Sequence, residues 1–180
     1  AGGLTCLNIM PGSGHLSSGQ TAYVKLRPAK RIEDMVILDE DGQAMGGLKM
    51  ANGENPKRSY GSKGHPPVTR MKVAALQRVE FVKAIDYRRK WQEFEKKREQ
   101  DKGATPPDRD LALEPLAEVL AGRRTVHFHT HRADDILTVL RLKREFDFDL
   151  VIQHGTEAYK VIDQVAAAGV PVSMTIVDSP

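Results

Sequence analysis

Short apolar segments alternate with amphipathic ones through the last third of the chain, and this rhythm constrains the fold more than any other feature. It predicts strands at 125–129, 150–152 and 170–177, separated by helices at 133–146 and 158–168. Strands this apolar, when they alternate with helices, indicate a parallel sheet that is covered on both sides. Such parallel units occur in open doubly wound sheets and in eight-stranded barrels, so the sequence predicts an α/β fold.

The first part of the chain is less regular and contains three candidate strands. The pattern predicts a buried strand at 4–10, a half-exposed strand at 22–27 and a third strand at 35–38. A short apolar segment follows at 47–51. Glycine and proline are so frequent in residues 52–67 that we expect a loop without regular structure there.

A long helix is predicted from Thr69, a suitable N-cap, to about residue 100. A stripe of apolar side chains at helical spacing predicts the face that the helix buries. The members of this stripe are Ala75, Val79, Val82 and Ile85. A second helix is predicted at 110–120.

The composition excludes several classes of protein. With 40% hydrophobic residues and a net charge of +3 over 180 residues, the chain is too apolar and too balanced in charge to be disordered. Its single cysteine, Cys6, excludes an internal disulfide and a cysteine-rich zinc site. No apolar run approaches the ~18 residues of a membrane span, so we expect no membrane partner. The start at Ala1 predicts a piece of a longer protein, which is cytoplasmic or, after removal of a signal peptide, periplasmic or secreted.

Three histidines alternate along the strand predicted at 125–129 and just beyond it. Because side chains alternate along a strand, His127, His129 and His131 are expected on one face. Ligands bind outside the carboxyl ends of parallel strands, which is where His129 and His131 fall. Neutral imidazole suits Zn, Fe, Ni and similar ions, so this pattern predicts a divalent-metal surface. The alternative is a set of structural histidines.

The next strand repeats this placement. His154 follows the strand at 150–152, and Gly155 allows a close approach of the backbone. Two successive parallel strands therefore deliver a histidine to the same edge, where both can bind one ion only if the strands are adjacent. Asp178 follows the third strand and is either a site residue or a helix N-cap.

Two polar segments offer further candidates. Glu54, or Lys49 before it, can reach a metal, and Arg58 can hold a carboxylate through a bidentate contact. A solvated loop is the alternative for this segment. Residues 11–20 are rich in glycine and serine but lack the Gly-Lys-Ser/Thr ending of a nucleotide-binding P-loop.

Four segments, taken together and in order, resemble the imidazolonepropionase-like branch of the amidohydrolase superfamily. They are residues 3–13, 47–58, 129–136 and 154–159. The resemblance implies a distorted (β/α)8 barrel with a small β-sandwich in the complete protein. Residues 1–180 then form a partial TIM-type barrel, from about strand 2 to strand 7, with a long helical insertion at about 69–101.

The resemblance also implies roles for individual residues. His129 on the fifth barrel strand and His154 on the sixth become metal ligands, with His131 as a catalytic or substrate-contacting neighbour. A carboxylated Lys49 or Glu54 bridges two metals, and we assign Lys49 to the metal and Glu54 to catalysis. Three residues are assigned to substrate binding: Arg58, His15 and Tyr159. The family's His-x-His pair and its eighth-strand Asp are expected outside this chain.

The implied activity is hydrolysis of a C–N bond in a small amide, cyclic amide or peptide-like substrate by metal-activated water. The cofactor is one or two divalent ions, zinc first, with iron, manganese or nickel as alternatives. We expect the piece alone to be inactive and to require the remainder of its own chain or a homo-oligomer.

Two other functions stay open. The chain can be a non-catalytic metal-binding or structural fragment. It can also be a basic nucleic-acid-binding module that uses the helix at 70–100, since the sequence pI is about 9.0. Because acidic residues are mixed with the basic ones in that helix, we expect a solvated face and no nucleic-acid partner.

Overall fold

Four parallel strands form the centre of the larger sheet in the computed structural model, which describes residues 2–175. In spatial order they are β4 (Leu48–Ala51), β5 (Val126–Thr130), β6 (Leu150–His154) and β7 (Val172–Met174). A further strand, β2 (Ser17–Gln20), pairs antiparallel with β4 at the edge of this sheet. The predicted α/β fold with a parallel sheet is confirmed. Asp178 lies outside the described residues.

Helices connect the parallel strands. Between β4 and β5 the chain forms α1 (Glu54–Gly61), α2 (Arg70–Gln100) and α3 (Glu114–Leu120). Helix α4 (Ala133–Phe146) joins β5 to β6, as predicted. A 3-10 turn at Ala158–Val161 leads into α5 (Ile162–Ala167), so the single helix expected there is divided in two. None of the helices in residues 2–175 combines the length and apolarity needed to cross a membrane.

The helices cover one face of the parallel sheet. The strand side chains Leu48, Met50, Phe128 and Ile152 are buried in one apolar cluster with Phe81 of α2 and Ile136 of α4. The alternating residues of the same strands point to the opposite face, which carries the polar side chains of Lys49, His127, His129 and Gln153. The second face is polar, and its side chains Lys49, His127 and His129 are also buried, in agreement with a sheet that is covered on both sides.

Helix α2 buries a different face from the predicted one. Its buried residues are Val73, Gln77, Phe81 and Ala84, whereas Val79, Val82 and Ile85 are 45–51% exposed. Phe81 explains the choice, since its ring stacks on Phe146 at 4.8 Å and on Phe148 at 5.0 Å between ring centres. Both stripes have helical spacing, so the large aromatic decides between them.

A helix replaces the loop predicted after β4. Glu54–Gly61 is helical, although the segment contains Pro56 and follows Gly53. Proline is tolerated in the first turn because the backbone N–H groups there have no intrahelical partner. Gly53 sits before the helix at φ 77°, a left-handed conformation that favours glycine.

The first strands form a separate ribbon. Antiparallel β1 (Cys6–Ile9) and β3 (Ala22–Lys25) pair only with each other, apart from an isolated bridge from Val24 to Val36. The strand predicted at 4–10 is present as β1, but the expectation that it is buried was wrong, because Leu4, Leu7 and Ile9 are exposed. The strand predicted at 35–38 is reduced to isolated bridges.

Candidate active site

Three imidazole rings meet at the carboxyl end of β5 and β6. The centre of the His129 ring lies 4.6 Å from that of His131 and 4.8 Å from that of His154. The His131 and His154 rings are stacked, with centres 5.2 Å apart and an interplanar angle of 3°. We refer to these three side chains as the histidine cluster. Because an ion bound through a ring nitrogen lies ~3 Å from the ring centre, rings at these separations can approach one ion.

Strand alternation accounts for two members of the cluster. His129 and His131 are two residues apart at the end of β5, so both side chains point to the polar face. His154 pairs with Thr130, and alternation alone would turn it to the helix-covered face. Instead its backbone adopts φ 75°, a left-handed conformation that interrupts the alternation and accounts for the ring lying against His131.

Gly155 makes this turn possible. Its own φ is 51°, and a Cβ atom at this position would lie 2.8 Å from Cγ1 of Val172. No other residue fits without displacing that side chain.

Lys49 lies beneath the histidine cluster on the polar face. It pairs with His127 across the β4–β5 ladder, and Ala51 pairs with His129. The side chain is only 3% exposed, and its ammonium nitrogen has the thioether sulfur of Met10 at 3.5 Å as its described partner. Burial lowers the pKa of Lys49, which favours the uncharged amine.

The surroundings of His129 and His154 favour the neutral form of both imidazoles. Burial, followed by the nearby charges of His131, His154 and Lys49, lowers the pKa of His129 to about 3. Burial and the same lysine lower the pKa of His154. Metal ligands must be neutral imidazoles, so this environment prepares both side chains for an ion at ordinary pH.

His129 also contacts a polar network from two other segments. The Asn55 side-chain nitrogen lies 3.1 Å from His129 Nε2 and 2.8 Å from Ser13 Oγ. The backbone N–H of Asn52 donates to the His129 carbonyl at 3.1 Å, which ties the start of α1 to the end of β5. His129 Nδ1 is buried without a hydrogen-bond partner among the described residues.

His127 is separate from the histidine cluster, although the alternation predicted one surface for all three strand histidines. Its Nε2 lies 3.0 Å from the Asn8 amide and 3.2 Å from the Tyr23 hydroxyl. Its Nδ1 lies 3.0 Å from the Gln153 amide. Both ring nitrogens are thus occupied, and the side chain is a hydrogen-bonded connection between strands.

Two other predicted site residues, Glu54 and Arg58, have described partners outside the histidine cluster. Glu54 pairs with Lys57 at 3.0 Å and with Arg70 at 3.3 Å. Arg58 is exposed and reaches only the Asn55 side-chain oxygen, at 3.4 Å. The polar segment predicted as a loop is therefore helix α1. Among its polar side chains, Asn55 is the one with a described hydrogen-bond contact to His129.

The two further candidates for substrate binding, His15 and Tyr159, contact residues outside the histidine cluster. His15 contacts the Tyr60 hydroxyl through Nδ1 at 3.2 Å. Tyr159 is 67% exposed and lies under the Lys160 ammonium group. Within the cluster, His131 Nδ1 contacts the Thr156 hydroxyl at 3.2 Å, which leaves its Nε2 free of a described hydrogen bond.

The donor set of the histidine cluster suits a divalent metal in its chemistry. Neutral imidazoles and an unpartnered buried Nδ1 are what a zinc-type ion requires. No group of three His, Cys, Asp or Glu side chains within residues 2–175 is arranged to hold an ion by itself. Two imidazoles with Lys49 are therefore the set that this part of the chain offers.

Comparisons with known proteins place these features in context. No family model matches the sequence. The chain is 28% identical over 171 residues to "Amidohydrolase tasK" from Hapsidospora irregularis, an alignment that covers 89% of this chain and 17% of that protein. It also resembles the crystal structure of an amidohydrolase from Thermotoga maritima MSB8, with a TM-score of 0.84 and 40% identity over 98% of this chain and 43% of that chain.

In sequence and in fold the chain is thus similar to part of each of these two amidohydrolases, in agreement with the resemblance carried by its four segments. It spans less than half the length of either relative.

Several residues around the site were missed by sequence reasoning. Asn55, Ser13, Gln153 and Thr156 all contact histidines or their partners. Asn55 and Ser13 lie in two of the segments that resemble the amidohydrolase superfamily, so these segments could have indicated both residues as members of the site. Gln153 immediately precedes His154, but nothing in the pattern distinguishes it from an ordinary strand residue.

Proposed function

We propose that the chain forms part of a metal-dependent hydrolase that cleaves a C–N bond in a small amide, cyclic amide or peptide-like substrate. The observation that carries the proposal is the convergence of three imidazoles and a buried lysine at one end of a parallel sheet. The likeness to two amidohydrolases supports the same reaction class. Barrel enzymes place their active sites at this end of the strands.

The fold proposal is a partial (β/α)8 barrel in which β5 and β6 are the fifth and sixth strands. The one-sided helical layer supports it, since helices form the outer ring of such barrels and side chains fill the interior. The polar face of the sheet then lines the interior near the active site.

His129 and His154 would hold the ion, zinc being our first choice. When bound, a divalent metal lowers the pKa of a water toward ~7 and polarises a substrate carbonyl. Lys49, as a carboxylated lysine, would be the further residue that holds the metal, since burial lowers its pKa and favours the uncharged amine, the form that carboxylation requires. Glu54 is less suited to that role, since it is exposed and paired with Lys57 and Arg70.

The remaining side chains act around this centre. His131 stacks on His154 and has a free Nε2, which suits proton transfer to a leaving amine or contact with the substrate. Arg58, His15 and Tyr159 remain candidates for contacts with the rest of the substrate.

The proposal predicts loss of metal from two single variants of the full-length protein. His129→Ala and His154→Ala should each lower the metal content by roughly tenfold or more, because each removes a direct ligand. Elemental analysis after zinc loading measures this. His15→Ala is the matched control, since within residues 2–175 the imidazole of this histidine hydrogen-bonds to the Tyr60 hydroxyl and not to the histidine cluster. Metal content that stays unchanged in both ligand variants would show that the assignment is wrong.

The expectation of no nucleic-acid partner stays a prediction. It is supported by the pairing of cations on α2 with acids of the same helix, in Lys83–Glu80, Arg89–Asp86 and Arg98–Glu95. Cations already paired in this way give a weaker electrostatic attraction to phosphate.

A further inference from the structure

The contact between Asn55 and His129 affects which ring nitrogen of His129 carries the proton. A neutral imidazole has one N–H and one lone pair, so the partner of Nε2 fixes the state of Nδ1. Asn55 is half-buried at the start of α1 and is the described hydrogen-bond partner of His129 Nε2. Its amide can present either nitrogen or oxygen at that position, since a 180° turn of the amide exchanges the two atoms.

If the amide nitrogen faces Nε2, the proton of His129 must be on Nδ1. That N–H would then be buried without an acceptor, because Nδ1 has no partner among the described residues. An unpaired buried N–H is destabilising and is rare in proteins.

If the amide oxygen faces Nε2, the proton is on Nε2 and donates to Asn55. The Ser13 hydroxyl, 2.8 Å from the same amide atom, can donate to this oxygen as well as it can accept from nitrogen. The contact with Arg58 is lost, but it is long at 3.4 Å and this guanidinium is exposed to water. Nδ1 is then left with a bare lone pair.

We propose that Asn55 is a positioning residue for His129, whose amide oxygen accepts the Nε2–H and so keeps Nδ1 unprotonated and able to bind a metal. The inference rests on the proposed function for its purpose, but the tautomer itself is a property of the metal-free protein. Partners of this kind commonly fix the tautomer of metal-binding histidines, and their loss weakens metal binding 10–100-fold.

Two substitutions at Asn55 separate acceptance from donation. Asn55→Asp keeps the shape and an accepting oxygen but cannot donate, whereas Asn55→Leu can do neither. Zinc affinity, measured in the full-length protein by competition with a chelator, should fall about 10–100-fold in Asn55→Leu and be retained or tightened in Asn55→Asp. Ser13→Ala should change the affinity by less than about threefold, since it leaves the His129 contact in place. An equal loss in Asn55→Asp and Asn55→Leu would overturn the proposal, because it would show that donation matters.

The tautomer is read directly from the metal-free protein. Long-range proton–nitrogen NMR correlations on histidine-labelled protein should show His129 protonated at Nε2, with assignment by His129→Gln. Protonation at Nδ1 would refute the role of Asn55, even if Asn55→Leu folds too poorly for zinc titration. A wild-type protein that takes up no zinc would contradict the proposed function instead, and the tautomer would still decide this inference.

Discussion

The three histidines of the cluster reach their positions in two ways. His129 and His131 lie on the polar face because side chains alternate along a strand. His154 was predicted at the correct edge, but alternation alone would place its side chain on the other face of the sheet. Its left-handed φ of 75° and the tight fit at Gly155 depend on packing against Val172, which lies on another strand.

Burial of His129 predicts a pH dependence for the metal-free protein. Above pH ~6.5 this side chain is neutral in both the folded and the unfolded states, so it contributes no pH dependence. As the pH falls from ~6.5 toward about 3, the unfolded chain takes up a proton that the folded chain does not. The free energy of unfolding should therefore decrease by up to about 1.4 kcal/mol per pH unit for this group. Urea denaturation of chelator-treated protein at pH 7 and pH 5 measures the difference.

His129→Gln should reduce this pH dependence, because the titrating group is removed. The control is His15→Gln, which changes a histidine whose described side-chain hydrogen bond is to the Tyr60 hydroxyl. A dependence that is equally steep in wild type and His129→Gln would mean that His129 is not held neutral by the fold.

At the level of elements, α2 shows why a correct helix can be assigned to the wrong face. The helix begins at Arg70 with Thr69 as its N-cap, as predicted, and the Thr69 side chain accepts from the Lys72 backbone at 3.2 Å. Two stripes with helical spacing exist in its sequence, and periodicity has no means of ranking them. Gln77 also favours burial of the observed face, since its side-chain amide donates to the backbone carbonyls of Leu16 and Ala51.

The buried face of α2 predicts a large difference in the loss of stability on substitution at two neighbouring positions. Phe81→Ala should lower the free energy of unfolding by about 3–5 kcal/mol, because a fully buried ring between two phenylalanines is lost. Val82→Ala, at a position that is half exposed, should change it by about 0.5 kcal/mol or less. Chemical denaturation of both variants provides the comparison. Similar losses at the two positions would contradict the assignment of the buried face.

On the scale of the whole molecule, His127 connects the two sheets. Asn8 belongs to β1 and Tyr23 to β3, whereas Gln153 belongs to β6 of the larger sheet. Gly47 allows this packing, since a Cβ atom there would lie 2.6 Å from Cδ2 of His127. Hydrogen bonds of His127 thus attach the ribbon of β1 and β3 to the polar face of the parallel sheet.

Removal of this connection should loosen the ribbon more than the sheet. His127→Ala deprives three polar groups of their partner and should cost at least about 2 kcal/mol, since unpaired buried groups cost ~1–3 kcal/mol each. Hydrogen exchange of the β1 amides should accelerate more than that of the β6 amides. Tyr23→Phe is the milder control, because it removes one hydroxyl and leaves the imidazole. Uniform acceleration across both sheets, with no preference for β1, would argue against His127 as the connection.

The α/β rhythm, the parallel strands, the helix at 133–146 and the position of His129, His131 and His154 at one edge of the sheet could be predicted from the sequence. These features follow from local periodicity and from where the strands end, which need no knowledge of distant residues. Three features depend on tertiary packing: which face of α2 is buried, that the glycine- and proline-rich segment after β4 forms a helix, and that Asn55 contacts His129. Each of these depends on contacts between residues far apart in the chain, such as Phe81 with Phe146 and Asn55 with His129, and a one-dimensional pattern carries no record of those distances.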